Sequence, residues 1–159
     1  MATEKGKINE TTMKKGEELF NKATAELLKK KSNSELAVSW MEKSCKAGYP
    51  PRVYAIGTWY FHGKHYKKNI KKGIEYWKLA AKQNVPLALF DLAVSYEKGI
   101  GLSKNAKKAF EYYLRSALFG NLDSYVDVGR CYAHGIGIKR DRKIADVWLD
   151  KAEELGLKW

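Results

Sequence analysis

The segment Tyr96–Asn121, YEKGIGLSKNAKKAFEYYLRSALFGN, returns 36 residues later as YAHGIGIKRDRKIADVWLDKAEELGL and 36 residues earlier as YFHGKHYKKNIKKGIEYWKLAAKQNV. A fixed period of this length constrains the fold more than any bulk property, because each copy must adopt the same small unit. Tyr60, Tyr96 and Tyr132 keep the spacing, as do Gly63, Gly99 and Gly135. Asn69, Asn105 and Asp141 share another register, and Ala37, Gly73, Ala109 and Ala145 a third. Trp40, Tyr76, Tyr112 and Trp148 form a four-fold series, and Gly48, Asn84, Gly120 and Gly156 another. The chain therefore holds four units, at about 12–49, 50–85, 86–121 and 122–157, of which the first keeps only the second half of the pattern.

Each unit reads as two helices. In LALFDLAVSYEKG, Ala88, Leu92, Ala93 and Tyr96 fall on one helical stripe. Gly99 ends that helix, because glycine takes the left-handed cap conformation at little cost. IGLSK is the turn, and Asn105 stands where an N-cap belongs, with Asn69 and Asp141 in the same slot. The second helix places Ala109, Tyr112, Tyr113, Ser116 and Ala117 on one face and stops at Gly120. Gly57, Ala93 and Gly129 share a position in the first helices, and Ala80, Ser116 and Ala152 share one in the second. Small side chains at these points let helices approach closely. A single unit cannot bury its apolar face, so the units are expected to stack into an α-solenoid of four antiparallel helix pairs, an all-α fold.

These residues together (small, then Tyr, Gly-x-Gly, Asn/Asp, Ala, paired aromatics, Ala/Ser and Gly at one constant period) resemble the Sel-one-like repeat family, a relative of the tetratricopeptide repeat. The resemblance covers residues 50–157 fully and 12–49 in part. It implies a right-handed superhelix and a non-catalytic scaffold or adaptor that holds partner proteins in a groove lined by the first helices. The sequence departs from the pattern at His65, which replaces the second loop glycine, and at Gly73, which is expected to loosen its helix by about 0.5–1 kcal/mol relative to alanine. Unit one lacks the Gly-x-Gly loop and carries Thr24 at the tyrosine position, so it is read as an N-terminal cap with a longer first helix. Residues 1–11 are expected to form a flexible segment, residues 12–159 a single domain, and Trp159 to fold back over the open end.

Composition narrows the setting. No apolar run approaches the length of a membrane span, and MATEKGKINE lacks the apolar core of a secretory signal. Two cysteines, Cys45 and Cys131, are too few for a disulfide scaffold and are read as thiols. A cytoplasmic monomer is expected. Thirty Lys and Arg against eighteen Asp and Glu give a net charge of +12, which speaks to partners and not to fold.

Two candidate binding surfaces follow from the register. The face of the first helices not used by the core carries Thr58, Trp59 and His62 with Ala55 in unit two. In unit three it carries Asp91, Val94 and Ser95 with Lys98, and in unit four Asp127, Arg130 and His134 beside Cys131. Trp59 reads either as a groove anchor or as a spacer packed between units, since Trp and Arg are enriched in binding hot spots. The second surface is a basic ridge. It comprises Lys67, Lys68, Lys71 and Lys72; Lys104, Lys107 and Lys108; and Lys139, Arg140, Arg142 and Lys143, with Lys29, Lys30 and Lys31 nearby in unit one. Cations at a helix start oppose the helix dipole, so folding does not ask for them, although a charge run also reads as a solvated face.

No enzyme and no cofactor are expected. His62 with His65, or Cys131 with His134, lacks further metal ligands at suitable spacing. Cys131 with His134 and Asp127 lacks a pocket and an oxyanion site. The Gly-x-Gly segments follow no strand and precede no Gly-Lys-Ser/Thr, so they are turns and not phosphate loops. The leading functional reading is an adaptor that binds an acidic partner protein through the groove and the basic edge. The alternatives are an immunity protein masking a bacterial toxin and an electrostatic nucleic-acid binder. The ridge lacks interleaved aromatics, which ranks nucleic acid below protein. Replacing Tyr96 by Ala is expected to cost roughly 3–5 kcal/mol in a denaturant titration; an unchanged midpoint would mean that the repeat register is misplaced.

Overall fold

Three of the helix starts are closed by the side chains that the repeat singles out. Asn69 Oδ1 accepts from Lys72 N and Asn105 Oδ1 from Lys108 N, both at 2.9 Å, and Asp141 Oδ1 accepts from Ile144 N at 3.1 Å. The first helices of units three and four end on Gly99 and Gly135, each with φ of +73°. Asn84 takes the glycine role in unit two with φ of +56°, which asparagine tolerates better than other side chains. The computed structural model describes residues 10–27, 29, 34–47 and 50–158. Its eight described helices are α1 (Glu10–Leu27), α2 (Ser34–Lys46), α3 (Pro50–His62), α4 (Ile70–Lys82), α5 (Pro86–Lys98), α6 (Ala106–Leu118), α7 (Asp123–His134) and α8 (Arg142–Glu154). Among the described residues there is no strand.

Helix α1 has 18 residues against 12 or 13 for the others, in line with a longer first helix in unit one. It opens at Glu10, two residues before the expected start of the domain; residues 1–9, Lys30, Lys31, Gly48, Trp159 and the Cys45 side chain lie outside the described residues. No described helix is long and apolar enough to cross a membrane.

The substantial packing joins each helix to its chain neighbours, within a pair and between one pair and the next. That is the arrangement of a solenoid, and the core runs through it in linked clusters. Leu89, Leu92, Ala88, Ile74 and Trp77 form one; Tyr113, Phe110, Ala109, Val128 and Cys131 form the next; Met41, Ile56 and Tyr60 close the N-terminal side. Ala80, Ser116 and Ala152 are completely buried, as is Ala93. Aromatic rings of the two helices of a pair stack beside these contacts: Tyr60 on Tyr76 at 5.8 Å and Tyr96 on Tyr112 at 5.6 Å.

Gly73 corrects an expectation. Instead of being a weak point, it is where α4 meets α3. A Cβ there would lie 2.8 Å from the Gly57 carbonyl oxygen and 2.9 Å from the Phe61 amide nitrogen. The helical propensity it gives up is exchanged for backbone contact between two helices.

The inter-helical turns also lock one unit onto the previous one. A Cβ on Gly137 would lie 2.0 Å from the Ala106 carbonyl oxygen at the start of α6. The turn of unit four therefore rests on the first residue of the preceding second helix. At the far end, Ile74 and Phe110, both buried, correspond to exposed Asp146. Buried Ala81 and Ala117 correspond to exposed Glu153. Helix α8 therefore presents polar residues at positions where α4 and α6 turn apolar ones inward.

Gly137 and Gly156 separate strain from clash, since both have positive φ but nothing lies within 4 Å of a Cβ on Gly156. Gly156→Ala is expected to cost about 1–2 kcal/mol through the left-handed backbone alone. Gly137→Ala adds a steric clash with backbone and should cost clearly more, roughly 3 kcal/mol or above, as read by urea denaturation; equal losses would mean that the turn does not bear on α6.

Candidate protein-interaction surfaces

Of the residues expected to line a groove, α5 and α7 bring Val94, Asp127 and Arg130 to one cavity. Between units three and four a broad cavity of about 660 Å³ is lined by Phe90, Val94, Glu97, Tyr113, Asp127 and Arg130, with Lys98 and Lys104 at its rim. Arg130 does not wait there for a partner. Its guanidinium donates to both Glu97 carboxylate oxygens, at 2.8 and 3.0 Å, and to Asp127 Oδ1 at 3.0 Å. Tyr113 Oη donates to Glu97 Oε2 at 2.7 Å. The network ties α5 to α7 through a bidentate pair, the strongest geometry an arginine offers a carboxylate.

The electrostatics follow from that geometry. Hydrogen bonding from Arg130 holds the Glu97 carboxyl below its ordinary range, and the same carboxylate pushes the guanidinium further up. Burial pushes Tyr113 up, with Glu97 adding to it. Asp127 is raised by burial, which outweighs its bond from Arg130. Asp91 is likewise raised by burial, although it accepts from Tyr54 Oη at 2.9 Å and feels His62 nearby. Burial, reinforced by Asp91, pushes Tyr54 up to about 12. Sequence reasoning missed Glu97, Tyr54 and Tyr113. In the repeat register Glu97 corresponds to Phe61 and Ala133, so the period carries no sign of a carboxylate there.

Other groove expectations need correction. Ser95 is 2 % exposed and Cys131 is fully buried, so neither faces a partner. Burial pushes the Cys131 thiol up to about 11, which leaves almost no thiolate at neutral pH. Thr58 Oγ1 donates to the Tyr54 carbonyl and accepts from Trp77 Nε1, each at 3.2 Å, and so serves the α3–α4 contact. Trp59 is half-buried against the N-terminal cluster and meets His65 edge-on at 4.6 Å. That is the spacer arrangement, and His65, which stands where units three and four have glycine, packs against it. His62 and His134 remain exposed, and Val94 is half-buried. No group of three His, Cys, Asp or Glu among the described residues is arranged to hold a metal ion.

The basic ridge separates into two kinds of cation. Lys72 Nζ donates to Tyr60 Oη at 2.6 Å and to Glu42 at 3.2 Å and sits over the Tyr60 ring. Those hydrogen bonds, the Tyr60 one first, raise its pKa. Lys108 lies over the Tyr96 ring at 5.3 Å. These two brace the structure and are not free. Lys67, Lys68, Lys71, Lys104, Lys107, Lys139, Arg140, Arg142 and Lys143 are all exposed and make no ion pair among the described residues. Six of them fall into two strict rows: Lys68, Lys104 and Arg140 on the turns, and Lys71, Lys107 and Lys143 in the first turns of α4, α6 and α8. No acidic residue occupies those first turns. Lys29 instead pairs with Glu26.

Replacing Glu97 by Gln should lower stability at pH 7 by about 1–2 kcal/mol, allowing for partial exposure of the pair. Because the folded-state pKa of Glu97 is depressed, the contribution is complete above the unfolded value of about 4.3 and is lost as pH falls through the folded value. The gap between wild type and Glu97→Gln in chemical denaturation should therefore close in acid; a gap constant down to pH 2 would exclude an ionic contribution.

A family model described as the Sel1 repeat matches residues 27–49, 53–85, 86–120 and 122–157. A search of curated proteins finds no significant match. Among solved structures, a Sel1 repeat protein from Oxalobacter formigenes is similar at 25 % identity and a TM-score of 0.75, over 91 % of this chain and 70 % of that one. The protective antigen c5321 of uropathogenic Escherichia coli strains, which displays the same fold, is 24 % identical with a TM-score of 0.73. That alignment covers 96 % of this chain and 32 % of the antigen, so the chain spans about a third of its length. Cysteine-rich protein B of Helicobacter pylori shares the fold at 21 % identity and a TM-score of 0.58, over 72 % of this chain and 86 % of that one. The four repeat matches and the stacked helix pairs lead to one conclusion: the chain belongs to the Sel1 repeat family, whose members generally serve as protein–protein interaction modules.

Proposed function

We propose that this chain is a non-catalytic adaptor module that binds an acidic partner protein, with the basic edge as the surface that makes first contact and the concave groove alongside it. The observation that carries this reading is the pair of cation rows, Lys68, Lys104, Arg140 and Lys71, Lys107, Lys143, exposed and without described ion pairs. Eighteen acidic residues are available to the chain, yet the described ion pairs are made elsewhere. The rows also sit on helix starts, where the dipole adds positive potential. Such a field speeds and steers association with an acidic surface.

In the groove, Arg130, Glu97, Asp127 and Tyr113 satisfy one another. The groove thus offers shape, and its free charge comes from Lys98 and Lys104, not from Arg130. A nucleic-acid reading lacks support of the same kind. Single strands are held by exposed aromatic platforms, and the tyrosines bordering the ridge, Tyr60 and Tyr96, are both buried and stacked.

The test is affinity capture from the native cell with nuclease present, comparing wild type with a variant carrying Glu at Lys67, Lys68, Lys71, Lys104 and Lys107. Lys72 and Lys108 are left intact because they brace Tyr60 and Tyr96. Circular dichroism should show unchanged helix content, and an acidic protein retained by wild type at physiological salt should be lost from the variant. Equal retention would reduce the ridge to a solvated face. Recovery of nucleic acid alone, once nuclease is omitted, would replace the proposal with the electrostatic alternative.

A further inference from the structure

The seams α2–α4 and α4–α6, between successive second helices, differ in a way the repeat makes legible. Position 79 in unit two corresponds to 115 in unit three and 151 in unit four, which carry Leu, Arg and Lys. Arg115 reaches back across its seam: Nη2 donates to the Ala81 carbonyl at 3.2 Å and to Asn84 Oδ1 at 2.8 Å, at the end of α4. The cavity of about 170 Å³ that Arg115 borders is lined from α5 and α6, by Tyr96, Lys108, Glu111 and Tyr112, and not from α4. Leu79 has no donor with which to do the same. It stands 49 % exposed, and the seam between α2 and α4 stays open as a cavity of about 510 Å³.

That volume falls within the range of sites that accept a small ligand or a large side chain. Leu79 and Val53 with the Tyr76 ring supply an apolar wall, and Lys46 and Lys82 stand on the rim opposite Glu75. Lys72, which also borders the cavity, is neutralised by Glu42. The rim is therefore cationic on balance, and Lys46 and Lys82 make no described ion pair. Lys71, the first member of one ridge row, lies on α4 next to Lys72 and four residues before Glu75, both of which line the cavity.

We propose that this opening is an anchor pocket: it takes one bulky apolar side chain, Phe or Leu, from an acidic segment of the partner protein whose carboxylates lie along the ridge and the pocket rim. Charge complementarity selects an acidic segment over a neutral one, and the apolar wall selects a hydrophobic side chain within it. The proposal rests on the reading of the ridge as an acid-binding edge and adds to it the element of specificity that the ridge lacks. A row of surface lysines recognises charge; a pocket of defined volume recognises a side chain in register with that charge.

The probes are fluorescein-labelled ten-residue peptides of alternating Asp and Glu, one entirely acidic and a set with a single Phe at each position. Fluorescence anisotropy at physiological salt measures their affinities. At least one Phe peptide should bind wild type about tenfold more tightly than the all-acidic peptide, the value expected for partial burial of one aromatic side chain. Leu79→Arg, which installs the residue type of position 115 at an exposed site, should abolish that advantage, and Leu79→Ala should reduce it. Reversal of Lys68, Lys71 and Lys104 to Glu should weaken every peptide alike. If Phe peptides bind wild type no better than the all-acidic one, or keep their advantage in both Leu79 variants, the pocket is not an anchor and the ridge reading survives alone. If no peptide binds wild type, the pocket and the acid-binding ridge fall together.

Discussion

Close approach between helix backbones is the constraint on which everything else in this protein depends. Two helices separated by large side chains would leave no continuous core in a unit of 36 residues. The chain solves this with small residues at fixed places. Ala80, Ser116 and Ala152 are fully buried, and Gly73 meets the α3 backbone directly. Between units, the turn at Gly137 rests on the carbonyl of Ala106. Aromatic rings then fill the space beside each contact, as Tyr60 with Tyr76 and Tyr96 with Tyr112 do. Packing of this kind is local along the chain, so stability is built from units and their interfaces.

The same rigidity gives the surfaces their meaning. Because the turns of units three and four rest on the second helix before them, Gly101 against Ile70 and Ile74 and Gly137 against Ala106, the cations they carry are held in register. Lys72 and Lys108, which look like ridge members by sequence, are drawn onto tyrosine rings and leave the rest to face solvent. In the groove the reverse holds. Arg130 is occupied by Glu97 and Asp127, and its charge contributes to holding α5 against α7. Unpaired cations on the turns and helix starts and a self-satisfied network across α5, α6 and α7 make two different kinds of surface on one scaffold.

Departures from the repeat are as informative as the repeat itself. His65 replaces a glycine and is matched by Trp59, which packs against it. Asp146 and Glu153 replace buried apolar residues and mark α8 as an outer face. Leu79 stands where the next two units carry Arg115 and Lys151 and borders an open cavity, whereas Arg115 reaches back to the end of α4. Each substitution changes a surface while the core positions beside it stay small or aromatic.

Period alone determined the two-helix reading, the caps at Asn69, Asn105 and Asp141, the turns and which cations share a register. These depend on local geometry and on spacing along the chain, which a sequence displays directly. It could not determine which polar side chains are spent inside the molecule. Arg130 meets Glu97 because both α5 and α7 pack on α6, which brings them within side-chain reach, and the register positions of Glu97 in the other units are apolar. Ser95 and Cys131, one position from groove residues, turn inward because a helix advances about 100° per residue and the neighbouring helix covers that side. Lys72 is bound because Glu42 and Tyr60 arrive from two other helices. Partnerships across helices are decided by tertiary packing, and it is those partnerships that separate the residues available to a partner from the ones already used in folding.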